Sequence, residues 1–245
     1  MKHRIDIRGW IIPNDYKSFY DFFEEDSTCP RDVQKVLNVT APGDDVDVYI
    51  NSGGGTIDAG SEIYAMLREA SKDRNVHIYI TGAAHSAASV IACAAYSSMA
   101  PTALMMVHCV SSYAGGNHND MEHMAEVLRT ADRALCTAYT AKTGMPESEV
   151  LDMMDHETWL TARQAQERGL VDEVMFEETE ALPLTASADS FHLPTQEQMN
   201  RVRAMMGETV EAQEAEAIRT SPGYAEGINR MQEIMAIRMN VGAPI

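Results

Sequence analysis

The chain has 245 residues, 45% of them hydrophobic, and a formal net charge of −18. That is enough apolar material for one large domain, or for a domain of about 180 residues with an appendage. The acidic balance and the absence of a Lys/Arg cluster exclude a phosphate-binding surface and so argue against nucleic acid. No run approaches the roughly 18 apolar residues of a membrane span, and the start, Met1-Lys2-His3-Arg4-Ile5-Asp6, lacks a secretory apolar stretch, so a cytoplasmic location is expected.

In chain order, Ile5–Ile12 reads as a strand, Pro13-Asn14-Asp15 as a turn, and Tyr16–Phe23 with Val33–Leu37 as helix interrupted near Cys29-Pro30. A repeating order then sets in. Val46–Ile50 is β-rich, Asn51–Gly55 a turn, and Thr56–Ala70 a helix with Ile57, Ile63, Tyr64 and Leu67 near helical spacing. Val76–Ile80, the small-residue turn Gly82-Ala83-Ala84-His85-Ser86-Ala87-Ala88-Ser89 and the helix continuing through Val90–Ala95 repeat it. Ala103–Val107 is a further strand ending at His108. A long helix is expected over Asp120–Lys142, stopped by Gly144, with Met121, Met124, Leu128, Ala131, Leu135 and Ala138 on one stripe. Pro146–Met154 is a short helix, Thr158–Leu160 an extended link, Thr161–Arg168 a helix stopped by Gly169, and Leu170–Val174 a closing strand. Strands alternating with helices predict an α/β domain over residues 1–180 with largely parallel pairing. Composition changes after Glu180: residues 181–245 read as a linker, a candidate for self-cleavage between Ala181 and Ser190, followed by helical or disordered tail.

The four cysteines, Cys29, Cys93, Cys109 and Cys136, have neither C-x-x-C spacing nor a disulfide framework and read as reduced thiols. The chemistry lies elsewhere. Ser86 sits between an apolar strand and an apolar helix, where unpaired N–H groups and the positive helix end suit a developing oxyanion. A serine needs a base and a group to orient that base. His108, at a strand end, is the best-placed base, and Glu157 is the candidate acid, with Asp155 behind it. Asn51-Ser52-Gly53-Gly54-Gly55 would let a substrate backbone approach closely and offers an edge for strand addition. It lacks the Lys-Ser/Thr ending of a P-loop and the spacing of a dinucleotide fingerprint. Taken singly, each segment also has a plain structural explanation: a packed turn, a strand-end histidine, a surface carboxylate.

Together, Tyr49–Gly55, Gly82–Ser89, Met105–His108, and Glu157–Ala162 leading to Gly169–Asp172 resemble the ClpP-like serine peptidase family, especially its phage and prophage head-maturation branch. The resemblance spans roughly Ile5–Val174. It implies a ClpP/crotonase-like α/β spiral of repeated β-β-α units with the long helix projecting as a handle. It implies Ser86 as nucleophile, His108 as general base and acid, Glu157 as orienting acid, and the N–H groups of Gly55 and Ala87 as oxyanion hole, with Gly54 beside them in the substrate-binding turn. It implies protein or peptide substrates, no metal and no organic cofactor, a homo-oligomeric heptameric ring or double ring, and an AAA+ unfoldase or phage scaffold protein as partner. Two departures stand out: Gly53 replaces the proline of better-known members, and Glu157 replaces their aspartate. Two other readings remain, a crotonase-type acyl-CoA enzyme and an inactive ring-forming paralogue.

Overall fold

The computed structural model describes residues 1–177 and Arg201; the first compact unit of the chain is Met1–Thr179. The expectations for the linker and tail beyond residue 180, self-cleavage included, lie outside the described residues.

The chain opens with β1 (Lys2–Ile11), a 3-10 turn (Asn14–Tyr16), α1 (Lys17–Phe22), β2 (Ser27–Thr28) and α2 (Pro30–Leu37). The helix expected over 16–23 and 33–37 is thus two helices, separated where Pro30 opens α2. Then follow β3 (Asp45–Gly55), α3 (Ile57–Ala70), β4 (Asn75–His85), α4 (Ala87–Ala92), β5 (Tyr96–Met99) and β6 (Leu104–Val107). The long helix α5 runs His118–Thr143, and after it come α6 (Glu147–Asp155), β7 (Thr158–Thr161), α7 (Ala162–Glu167) and β8 (Glu173–Val174).

The main path of the sheet runs β2-β1-β3-β4-β5-β8, and every pairing along that path is parallel. The strand β4 is long because it serves two neighbours in turn. His77–Ile80 pairs with β5, whereas Ala83–His85 pairs with β6. The antiparallel ladder β6–β7 completes the sheet. This is the α/β architecture expected, with parallel strands linked by helices.

Two strands are longer than their apolar runs suggest. Asn51–Gly55 continues β3, because β3 takes up one extra residue at Ser52-Gly53 opposite Gly9 and then pairs Gly54 with Trp10 and Gly55 with Ile11. A Cβ on Gly55 (φ 156) would lie 2.0 Å from the Ile11 carbonyl oxygen, so the close approach of the two strands requires glycine there. Gly82–His85 likewise remains strand and carries β4 directly into the Ser86 turn.

Core side chains alternate along β3 (Val46, Val48, Ile50) and β4 (Val76, Ile78, Ile80), and α3 lays Ala59, Ile63, Leu67 and Ala70 at helical spacing against them. At the other end, Lys142 of α5 pairs with Asp172 and donates to the Ala95 carbonyl at 2.8 Å, while the Ser97 N–H donates to the Asp172 carboxylate at 2.7 Å. The Leu170-Val171-Asp172 segment therefore ties the foot of α5 to β5. That helix is capped by Asn117 and ends at Gly144 (φ 73). The stripe is graded: Ala138 is buried, Leu128, Ala131 and Leu135 are half-buried, and Met121 is exposed. Among the described residues no helix is long and apolar enough to cross a membrane.

Leu67 is fully buried between α3 and the sheet. Leu67→Ala is expected to destabilise the protein by about 2–5 kcal/mol through a cavity, read as a lower urea midpoint with an unchanged slope.

Candidate active site

The site forms where β3, β4 and β6 end together. Ser86 follows the last residue of β4 and precedes the first of α4, and its backbone has φ 53 and ψ −126. A non-glycine residue in that region is strained and persists only where its surroundings over-determine it. Here the surroundings do so. The Ser86 N–H donates to the Met106 carbonyl at 2.9 Å, and the Ser86 carbonyl accepts from the Ser89 N–H at 2.9 Å and the Ser89 hydroxyl at 2.7 Å. Ser89 Oγ also lies 2.7 Å from the buried Tyr139 hydroxyl, so α5 braces the turn through one hydroxyl. Ser86 thus sits on a sharp, strained strand-to-helix turn, the geometry of a nucleophile elbow.

His108 immediately follows β6, and its Nε2 lies 2.8 Å from Ser86 Oγ. Its position is fixed from both sides in the chain. The preceding β6 is paired with β4 and β7, while the next residues are tied by Cys109 N–H to the Met154 carbonyl at 3.0 Å and Val110 N–H to Asp132 Oδ1 at 2.6 Å.

Glu157 directly precedes β7, with a left-handed backbone (φ 45) and an exposed side chain. The β6–β7 ladder sets Met106 opposite Trp159 and ends with Val107 opposite Thr158, so His108 follows and Glu157 precedes the last paired residues at the same end of the ladder. Its carboxylate accepts a hydrogen bond from Trp159 Nε1 at 3.1 Å, and among the described residues no hydrogen bond joins it to His108. Asp155 ends α6, out of that register. Ser86 and His108 are thus in contact, and Glu157 is brought to the neighbouring place without closing onto the imidazole.

The glycines take separate places. A Cβ on Gly54 (φ 98) would lie 2.7 Å from Ser86 Cβ and 3.2 Å from the Ala87 nitrogen, so Gly54 abuts the elbow, whereas Gly55 abuts Ile11. The Gly54 N–H donates to Ser52 Oγ at 3.1 Å, and Ser52 in turn donates to the Gly9 carbonyl at 2.6 Å. Ala87 opens α4, where no carbonyl four residues back accepts its N–H.

Three contributors escape a sequence reading: Ser89, Tyr139 and Trp159. Only the Ser86-Ala87-Ala88-Ser89 spacing hints at the first, as a hydroxyl reaching back over one turn. His85 is a fourth. Its ring meets Trp159 edge to face at 4.8 Å, its Nε2 is buried without a partner, and burial pushes its pKa down. The thiols do not compete as nucleophiles. Burial pushes Cys93 up to about 12, and burial with the nearby Asp132 carboxylate pushes Cys109 up to about 11.

The strained serine, its histidine partner and the glycine-flanked opening define a serine-hydrolase type of site on an α/β sheet. A family model described as Clp protease matches residues 31–178. The ATP-dependent Clp protease proteolytic subunit of Bacteroides fragilis is 34% identical over 142 residues, covering 57% of this chain and 68% of that protein. Subunit 1 of Chlamydia muridarum is 32% identical over 146 residues, covering 57% and 74%, and that of Chlamydia abortus 30% over 166 residues, covering 63% and 85%. The chain spans about two thirds of the length of the Bacteroides relatives it matches. It belongs to the Clp protease family.

Two outcomes follow from this geometry. Gly54→Ala, which forces a Cβ into Ser86 at a left-handed backbone, is expected to slow reaction of Ser86 with a fluorophosphonate by about tenfold or more while circular dichroism is retained. His77 and His85 both have pKa values lowered by burial, so the unfolded chain binds protons more readily than the folded one. Their contribution to stability is present above the ordinary histidine range and is lost as pH falls below about 6.5. His85→Phe should reduce the drop in urea midpoint between pH 7.5 and 5.5.

Proposed function

We propose that the protein is a serine endopeptidase that cleaves peptide bonds through an acyl-enzyme. The observation that carries this reading is the 2.8 Å approach of His108 Nε2 to Ser86 Oγ on a strained elbow. Ser86 Oγ attacks the scissile carbonyl as His108 Nε2 takes its proton, and the tetrahedral oxyanion forms over Ala87 N–H and the glycine pair. Within that pair Gly54 packs against the elbow, and its N–H would exchange its Ser52 contact for the oxyanion. His108 then protonates the leaving amine, and a water deprotonated by His108 releases the acyl group. Glu157 accepts the Nδ1–H of His108 and stabilises the imidazolium that appears in both steps.

The ladder register favours Glu157 over Asp155 for this role. Every step is carried by side chains and backbone amides and needs no metal or organic cofactor. A crotonase-type enzyme would need the oxyanion hole but not a serine paired to a histidine, so the contact between Ser86 and His108 weighs against that reading. It weighs equally against an inactive paralogue.

We take residues 1–180 as the catalytic unit. By family membership the substrates are protein or peptide chains, cleaved in the cytoplasm inside a homo-oligomeric ring. The exposed, partly apolar first half of α5 supports a contact between copies. An AAA+ unfoldase would feed the ring, or a phage scaffold protein enclosed with the enzyme would itself be the substrate.

Fluorophosphonate labelling followed by peptide mapping tests the chemistry. An adduct on Ser86 is expected, with Ser86→Ala unlabelled, His108→Ala slowed by about 10³-fold or more, and Glu157→Gln slowed by about 10–10³-fold. Labelling that persists unchanged in His108→Ala would overturn the assignment.

A further inference from the structure

We infer that Trp159 is a positioning residue that holds the Glu157 carboxylate for His108, an inference that rests on the reading of Glu157 as the orienting acid. Glu157 needs such help. Its side chain is exposed, its backbone is left-handed, and it stands just outside the β6–β7 ladder, so neither packing nor strand pairing fixes its carboxylate. The Trp159 indole supplies the missing constraint, donating from Nε1 to Oε1 at 3.1 Å and leaving Oε2 for the imidazole Nδ1.

The indole is itself located relative to the nucleophile. Trp159 is 49% exposed, so burial does not account for its placement. Its ring instead meets the edge of His85, the residue before Ser86, with ring centres 4.8 Å apart and planes at 69°. Across the sheet, His85, Met106 and Trp159 lie in one row of pairings, β4 to β6 to β7. The next positions along those three strands are occupied by the elbow serine, the approach to His108 and the ladder end at Thr158. A single lateral row of side chains therefore carries the position of Ser86 to the carboxylate two residues before Trp159. The orphan Nε2 of His85 fits this use, since that edge of the imidazole is buried and has no hydrogen-bond partner, and the ring packs against the indole.

The test is a double-mutant cycle on the full-length chain, reading the second-order rate of Ser86 labelling by a fluorophosphonate. Trp159→Phe, which keeps an aromatic ring against His85 and removes only the donor, is expected to slow labelling about three- to tenfold. On a Glu157→Gln background the same substitution should change the rate less than twofold, because the group it positions is gone. With a chromogenic peptide substrate, kcat should fall and KM should stay within twofold. Trp159→Tyr, also ring-preserving, runs in parallel as a second route through the cycle. A wild-type rate in Trp159→Phe, or equal losses on both backgrounds, would overturn the positioning role alone. Failure of wild-type protein to label would instead overturn the serine-hydrolase reading, and this inference with it.

Discussion

The structure depends on one strained residue. Ser86 occupies a backbone region that costs of order 1–3 kcal/mol for a non-glycine side chain, and each neighbour that could relax it is tied elsewhere. Met106 takes its N–H, Ser89 takes its carbonyl twice, and Tyr139 engages Ser89 from the handle helix. Burial pushes the Tyr139 pKa up, so the phenol stays a neutral partner across the physiological range. Small residues surround the bend: Ala84, Ala87 and Ala88 are buried, and Gly54 leaves room for Ser86 itself. The strain is useful because it separates the hydroxyl from the strand while keeping the nitrogen after it at the start of a helix, where a developing negative charge is stabilised.

The second constraint is the fork in β4. Between Ile80 and Ala83 this strand changes its partner on one side from β5 to β6. By releasing β5 and taking β6, it brings the end of β6, and hence His108, beside its own end. The antiparallel β7 then returns along β6 and delivers Glu157 to the same corner. Three residues far apart in sequence share a corner because two short ladders fix their register, and a one-residue slip in either would turn His108 or Glu157 to the other face.

Much of this was legible in the sequence, and what was not has physical reasons. The strands β3 and β4, the helix α3 and the handle helix announce themselves by apolar period, and Ser86, His108 and Glu157 by their places at element ends. The glycines after Ile50 read as a turn because glycine is usually turn material; only the bulge at Ser52-Gly53, opposite Gly9, lets Gly54 and Gly55 pair with Trp10 and Ile11 and makes them strand. β5 was missed because Tyr96-Ser97-Ser98-Met99 has no apolar alternation. Its buried serines are paid for by tertiary partners: Ser97 by Asp172, Ser98 by His77 and Glu173. Such partners are 20 to 75 residues away and leave no local signal. Trp159 shows the same limit, since a half-exposed aromatic reads as ordinary surface until its N–H is seen on Glu157.

Glu157 carries one methylene more than an aspartate would at the same place. Glu157 stands at a left-handed residue just before β7, one step beyond the last paired position. The turn there takes the backbone out of the ladder, and the extra methylene gives the carboxylate reach that a shorter side chain would lack. Reach has a cost, because a third rotatable bond multiplies the orientations available to an exposed carboxylate. An acid that orients a catalytic imidazole must itself be oriented. A donor two residues along the same strand face is the nearest place from which this chain can provide that, and Trp159 occupies it, with its ring set against the residue that precedes the nucleophile. The β6–β7 register that brings Glu157 to the end of the ladder where His108 leaves it also places Trp159 two residues along, where its indole donates to that carboxylate.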